Sequence, residues 1–171
     1  MSCDPVILPF RKILLGLGLV MALAGCQVRP LYDDASGTRE SLGSIVYSAA
    51  SNRVGQEVRN HLIFLTGGGA GEPANPEYEV NLQVSATTMG VLLDQSSDTA
   101  KAGRVIVSAN YTLKRASDAT VLHTGRRQVV AVVDYPSQEF AKLRAVRDGE
   151  DRAARELAEF IRTDLASALG R

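Results

Sequence analysis

The chain has 171 residues with 19 basic and 19 acidic side chains, a length that one domain accounts for. A balanced charge argues against bulk nucleic-acid binding, which shows as a basic excess. Only Cys3 and Cys26 carry sulfhydryls, too few for a disulfide framework or a thiolate metal site.

The first element in chain order is a targeting segment. Arg11-Lys12 precedes an uncharged run from Ile13 to Ala24, and the small residues Ala24 and Gly25 lead into Cys26. That order, basic then apolar then small, is a secretory signal. The apolar run is shorter than the roughly 20 residues a spanning helix needs. Leu23-Ala24-Gly25-Cys26 fits a lipobox, in which the cysteine sulfur takes diacylglycerol, cleavage falls before the cysteine, and the new amino group is acylated. Residues 1–25 are therefore expected to be removed. Cys3 leaves with the signal and Cys26 is consumed by lipid, so no thiol remains for a metal or a nucleophile. At about 0.8 kcal/mol per buried CH₂, one chain binds a membrane marginally and two signals anchor stably. A multiply acylated Cys26 then holds the protein to outer-membrane lipid without a spanning helix. Gln27 is not the aspartate that commonly retains such lipoproteins in the inner membrane, which favours the periplasmic side of the outer membrane.

Residues 26–42 read as a lipidated tether, polar and rich in turn formers from Val28 to Leu42. Residues 43–171 read as the periplasmic domain. Ser44 to Tyr47 is β-prone, and Val54, Val58, Leu62 and Leu65 recur at helical spacing with Ser51 or Asn52 available as a cap, which predicts a strand and then a helix over about 52–65. The run Thr66-Gly67-Gly68-Gly69-Ala70-Gly71-Glu72-Pro73 has no Gly-Lys-Ser/Thr after it and reads as a connector, not a phosphate loop.

Tyr78, Val80, Leu82 and Val84 alternate with polar residues, as a half-buried strand does. Gln95 to Gly103 is expected to be a loop delivering Lys101 and Arg104 to one end of the sheet. Val105 to Leu113 alternates again, Ser117-Asp118-Ala119 reads as a hairpin turn, and a further strand starts at Val121. Its far half, Gln128 to Val133, is apolar on both faces, which marks Val130 and Val132 as a surface for a partner. After Pro136, Phe140, Leu143, Val146, Ala154, Leu157, Ile161 and Leu165 form one stripe of a last helix. Gly149 costs about 1 kcal/mol relative to alanine in a helix interior, which leaves open whether the helix runs through, kinks or breaks near 147–150. The order β, α, β, β, β, α gives an α+β domain, a roughly four-stranded mixed sheet with two helices packed on one face.

No catalytic constellation emerges. His61 and His123 have no ligand pair at helical spacing, no Gly-x-Ser-x-Gly elbow occurs, and the sequence offers no metal site, no cofactor and no enzyme.

The lipobox with Arg29-Pro30-Leu31-Tyr32, the helix segment Val58-Arg59-Asn60-His61-Leu62, the strand Tyr78 to Val84, Tyr111-Thr112-Leu113 with Val121-Leu122, and the closing helix Ala153 to Leu169 together resemble the LptE family of lipopolysaccharide-assembly lipoproteins, in its alphaproteobacterial form. The resemblance implies a non-enzymatic plug and folding helper inside the outer-membrane barrel LptD, acting with it to deliver lipopolysaccharide to the outer leaflet. It also implies lipopolysaccharide binding by basic residues at one end of the domain. Lys101 and Arg104 match that description best, with Arg126 and Arg127 next. Two other functions fit the leader: an auxiliary lipoprotein of a lipid-trafficking transporter, and a tethered hydrolase, the latter weakened by the missing nucleophile and base.

Overall fold

Seven elements follow one another in the computed structural model, which describes residues 37–94 and 99–170. They are α1 (Thr38–Gly43), β1 (Ile45–Tyr47), α2 (Arg53–Gly67), β2 (Tyr78–Asp94), β3 (Thr99–Arg115), β4 (Val121–Asp134) and α3 (Glu139–Leu169). The signal, Cys26 and most of the tether lie outside the described residues.

The sheet runs in the order β1-β2-β3-β4. Short β1 lies parallel to the start of β2, and β2, β3 and β4 are successively antiparallel. The parallel step is made by α2, as a parallel pair requires a crossover. Asn52 sets its start: the side-chain oxygen accepts from Gly55 N–H at 2.8 Å, and the amide donates to the Val84 carbonyl at 2.9 Å. One residue thus caps the helix and ties it to β2. The helix ends at Gly68, left-handed with φ 60, where glycine is favoured. The glycine-rich connector beyond it is pinned by Glu72, whose carboxylate accepts from Tyr47 N–H and from the Arg59 guanidinium.

Both long helices pack on one face of the sheet and on each other. Val58 and Leu62 from α2, Val80, Val105, Val107 and Leu113 from the sheet, and Leu157, Ile161 and Leu165 from α3 are fully buried between them. Strand alternation puts every second residue of proximal β2, of β3 from Gly103 to Leu113 and of distal β4 in this core and the others on the opposite face, which no described element covers. The expected α+β architecture is the observed one.

Two expectations are corrected and one open question is decided. Residues 99–103, expected in a loop, form the start of β3, while 95–98 lie outside the described residues. β2 and β3 pair from Tyr78↔Arg115 out to Asp94↔Thr99, so Lys101 and Arg104 lie within β3. The distal half of β2, Ser85 to Val91, is exposed on both sides, and burial there imposed no alternation that periodicity could detect. Second, α3 is unbroken from 139 to 169. Gly149 is buried where a Cβ would stand 2.5 Å from Val133 Cγ1 and 3.3 Å from Val105 Cγ2; it lets the helix approach the strands and does not end it. Third, Thr38 to Leu42, read as the end of the tether, form most of α1, with Thr38 and Leu42 buried against the domain.

Candidate functional site: the open face of the sheet

Cross-strand register arranges the uncovered face in rows. Nearest β1, Glu79 stands beside Lys114; next come Asn81, Thr112 and Thr124, then Gln83, Asn110 and Arg126, then Ser85, Ser108 and Gln128. The Ser108 hydroxyl donates to the Gln128 amide oxygen at 3.3 Å. These rows are polar, and a shallow depression of about 390 Å³ runs over Asn81, Gln83, Asn110 and Arg126.

The character then changes. Thr87, Ile106 and Val130 make the fifth row, and Met89, Arg104 and Val132 the sixth. Val130 is 46 % exposed, Val132 62 % and Met89 46 %. Their neighbours on the same strand, Val129 and Val133, are buried on the helix side. The two-sided apolar reading of β4 is thereby explained: one set of valines fills the core, the other faces solvent. Arg104 sits between Met89 and Val132, a cation set in an apolar field. Such a surface suits a partner that brings both hydrocarbon and negative charge.

The four basic residues singled out by sequence do not form one cluster. Arg104 is on the open face. Lys101 lies on the helix side, lining a recess of about 710 Å³ with Asp134, Tyr135, Glu139 and Lys142 at the start of α3. Three residues apart on an alternating strand, the two cannot grip one phosphate together. Arg126 is on the open face in the polar rows. Its neighbour Arg127 points the other way and is committed to Asp164 of α3, with Nε and Nη2 donating at 2.7 and 2.6 Å.

That pairing belongs to a small network that sequence reading missed. The Tyr111 hydroxyl also donates to Asp164, and Gly125, opposite Tyr111 in register, leaves room for the phenol where any Cβ would collide with it. The Arg127 hydrogen bond holds the Asp164 carboxyl below the usual carboxylate range, against the opposing effect of its partial burial. Burial pushes the Tyr111 phenol up, and the hydrogen bond and charge of Asp164 push it the same way. The tie joins β3, β4 and α3. Tyr111 and Asp164 are 53 residues apart, and nothing in their spacing announced it.

His123 lies tilted against Tyr111, ring centroids 6.0 Å apart, as a packing residue. Among the described residues no three histidine, aspartate or glutamate side chains gather as a metal site would need, and no helix is long and apolar enough to cross a membrane. What the described residues of the site offer is binding surface, apolar at one end and polar at the other.

The family model of LptE, described as lipopolysaccharide-assembly, matches residues 43–165. The chain belongs to the LptE family. The match spans β1 to most of α3 and so contains all four strands of the open face. Among solved structures, a chain from Caulobacter crescentus CB15 designated a lipoprotein is similar at 27% identity, with 78% of this chain and 96% of that one covered and a TM-score of 0.64. The rare lipoprotein B of Shewanella oneidensis matches at 12% identity over 72% and 92% of the two chains, with a TM-score of 0.55. Lipoprotein B of Nitrosomonas europaea matches at 12% over 72% and 82%, with a TM-score of 0.54. The last two likenesses concern the fold. No curated protein matches the chain. Membership places this LptE-family chain among envelope lipoproteins of lipopolysaccharide assembly, a non-enzymatic family.

Proposed function

We propose that the protein is anchored through acyl groups on Cys26 to the periplasmic side of the outer membrane, that it seats as a plug and assembly factor in the LptD barrel, and that it helps pass lipopolysaccharide to the outer leaflet. The observation carrying this reading is the open sheet face. A domain whose helices cover only one side of its sheet leaves Met89, Ile106, Val130 and Val132 to water unless a partner encloses it, and exposed apolar surface of this kind marks interaction sites. The polar rows beside them fit the hydrated wall of a large barrel lumen.

Arg104 is the residue proposed to meet lipopolysaccharide phosphate on this face, because guanidinium pairs with phosphate in a bidentate fork and its flanking residues are apolar. Arg126 supplies a second cation three rows nearer β1. Arg127 is spent on Asp164 and is withdrawn from the binding set, while Lys101 serves the other side of the sheet. Covalent lipid on Cys26 is the sole attached group; no soluble cofactor has a part in the reading.

Pull-down of the tagged full-length lipoprotein from outer membranes tests the assignment. A large heat-modifiable barrel should copurify. Recovery of an inner-membrane transporter or its substrate-binding subunit instead would replace the plug by an auxiliary role in lipid trafficking.

A further inference from the structure

One edge of the sheet is satisfied along only part of its length. On the β1 side of β2, alternate residues turn their backbone N–H and C=O outward, because the residues between them bond to β3. The first of these outward groups are met. Tyr78 N–H donates to the Ser44 carbonyl, and the Val80 carbonyl accepts from Ser48 N–H. Leu82 N–H donates to the Ser48 hydroxyl at 2.9 Å, and the Val84 carbonyl accepts from the Asn52 side-chain amide at 2.9 Å. There the cover stops, because the chain turns at Asn52 into α2.

Pairing with β3 runs without a register shift from Tyr78 to Gly90, so Ala86, Thr88 and Gly90 continue the same outward series. No described residue meets their backbone groups on this edge, and every residue from Ser85 to Val91 is exposed. Proteins commonly blunt an open edge with lysine, proline or an inward-pointing charge. Between Val80 and Leu93 the sequence carries no charged residue and no proline. The edge therefore offers successive donor and acceptor pairs about 6.8 Å apart, two residues of strand, with nothing to repel an incoming backbone.

Groups of that spacing and polarity are matched by another extended polypeptide, which binds by adding a strand. A second copy of β2 fits poorly. Paired antiparallel about Thr88, its continuation past Gly90 would run opposite Val84 and Leu82, where Asn52 and Ser48 already sit. A short segment that leaves the edge before Val84 meets no such obstacle. The open face points to its source: Met89 lies on this stretch of β2 and also stands beside Arg104 and Val132 at the apolar end of that face, so edge and face form one continuous surface. The wall strands of a closed barrel have no free edge. A segment contributed by a barrel protein must then come from outside its wall, from a loop or a terminal stretch.

We propose that an extended, uncharged segment of the barrel partner, from outside its wall strands, adds to the sheet along Ala86, Thr88 and Gly90. The proposal rests on the LptD reading above and adds to it a main-chain contact on an edge that reading leaves unused. Three substitutions of Thr88 separate backbone from side chain. Proline is tolerated on an edge strand where its missing N–H would face solvent, yet it has no hydrogen to donate, so Thr88→Pro removes the central donor and spares the bonds to β3. Thr88→Lys keeps the backbone and blunts the edge with charge. Thr88→Ala keeps the backbone and adds no charge.

The test uses the tagged full-length lipoprotein in cells, with a photoreactive residue in place of the exposed Ala86, and circular dichroism and thermal melting to confirm that each variant folds. LptD should copurify with wild type and with all three variants, held by the open face. The adduct from position 86 should form in wild type and Thr88→Ala, fall at least about tenfold in Thr88→Pro and Thr88→Lys, the factor that about 1.4 kcal/mol produces, and map to LptD outside its wall strands. Strand addition is overturned, and the LptD reading spared, if LptD copurifies but position 86 gives no adduct, or an adduct to a wall strand or to a second copy of this chain. The same holds if the adduct is lost in Thr88→Ala, or persists undiminished in Thr88→Pro, or in Thr88→Lys should Thr88→Pro fail to fold. Absence of LptD from the wild-type pull-down overturns the LptD reading and this proposal with it.

Discussion

At the scale of single residues, charge is placed with a selectivity that sequence alone conceals. Arg126 and Arg127 are consecutive, so strand alternation sends one to solvent and the other to Asp164. Asp164→Asn removes the acceptor shared by Arg127 and Tyr111. Half of the Arg127 side chain is exposed, which screens the pair, so the expected loss is about 1 to 2 kcal/mol and comes mainly from the weakened tie to Tyr111. Acid adds a second readout. The folded-state pKa of Asp164 is depressed, so its contribution is complete above the unfolded carboxylate value of about 3.9 and is lost as pH falls through the folded value. Urea titrations at pH 7 and pH 3 should show wild type and Asp164→Asn converging in acid. On the open face, Arg104→Asp should lower lipopolysaccharide affinity by roughly tenfold at low salt, as the loss of one charge-assisted contact worth about 1.5 kcal/mol or more would do, and the difference should shrink as salt rises. Equal affinities at low salt would remove Arg104 from the site. Lys101→Asp should leave binding on that face unchanged.

Among the elements, α3 shows how packing overrules local preference. Alanine is favoured over glycine by about 1 kcal/mol in a helix interior, yet a methyl at 149 would press on Val133 and Val105, and overpacking typically costs 1 to 3 kcal/mol. Gly149→Ala should therefore lower the denaturation midpoint; a rise would mean that the helix can shift off β4 at little cost. The same element marks how far the sequence could be read. In the long elements that bury one face, periodicity gave the buried stretch: Val54 to Leu65, Tyr78 to Val84, Val105 to Leu113 and the stripe from Ala154 to Leu165 all lie where spacing put them; six-residue α1 is too short to show a period. Beside the distal half of β2, where neither face is buried, the start of β3 at residues 99–103 passed for part of a loop. That misreading also joined Lys101 to Arg104, which the alternation of β3 separates. The Tyr111–Asp164–Arg127 tie depends on register and on how α3 lies across β3 and β4, and neither quantity is written in local spacing.

The whole molecule is a domain with one finished side and one unfinished side. Its described core extends from Thr38 to Ala166, so the link between Cys26 and α1 is about a dozen residues. At 3.3 to 3.6 Å per residue, such a link reaches at most about 40 Å. The proposed anchor thus limits how far the domain can stand from the membrane. Cys26→Ala should abolish palmitate labelling and leave an unprocessed or mislocalised precursor in fractionated cells; unchanged labelling would refute the lipid anchor. The central claim is that the open face is the surface enclosed by LptD, and its most direct measurement is photo-crosslinking in cells from a photoreactive residue at position 132, set against the same residue at Phe64 on the outer side of α2, where the side chain is 64 % exposed. The account predicts that position 132 captures the barrel far more efficiently than position 64, and that Val130→Asp abolishes the 132 adduct while the domain stays folded. Equal capture from both positions, or capture from position 64 alone, would contradict it.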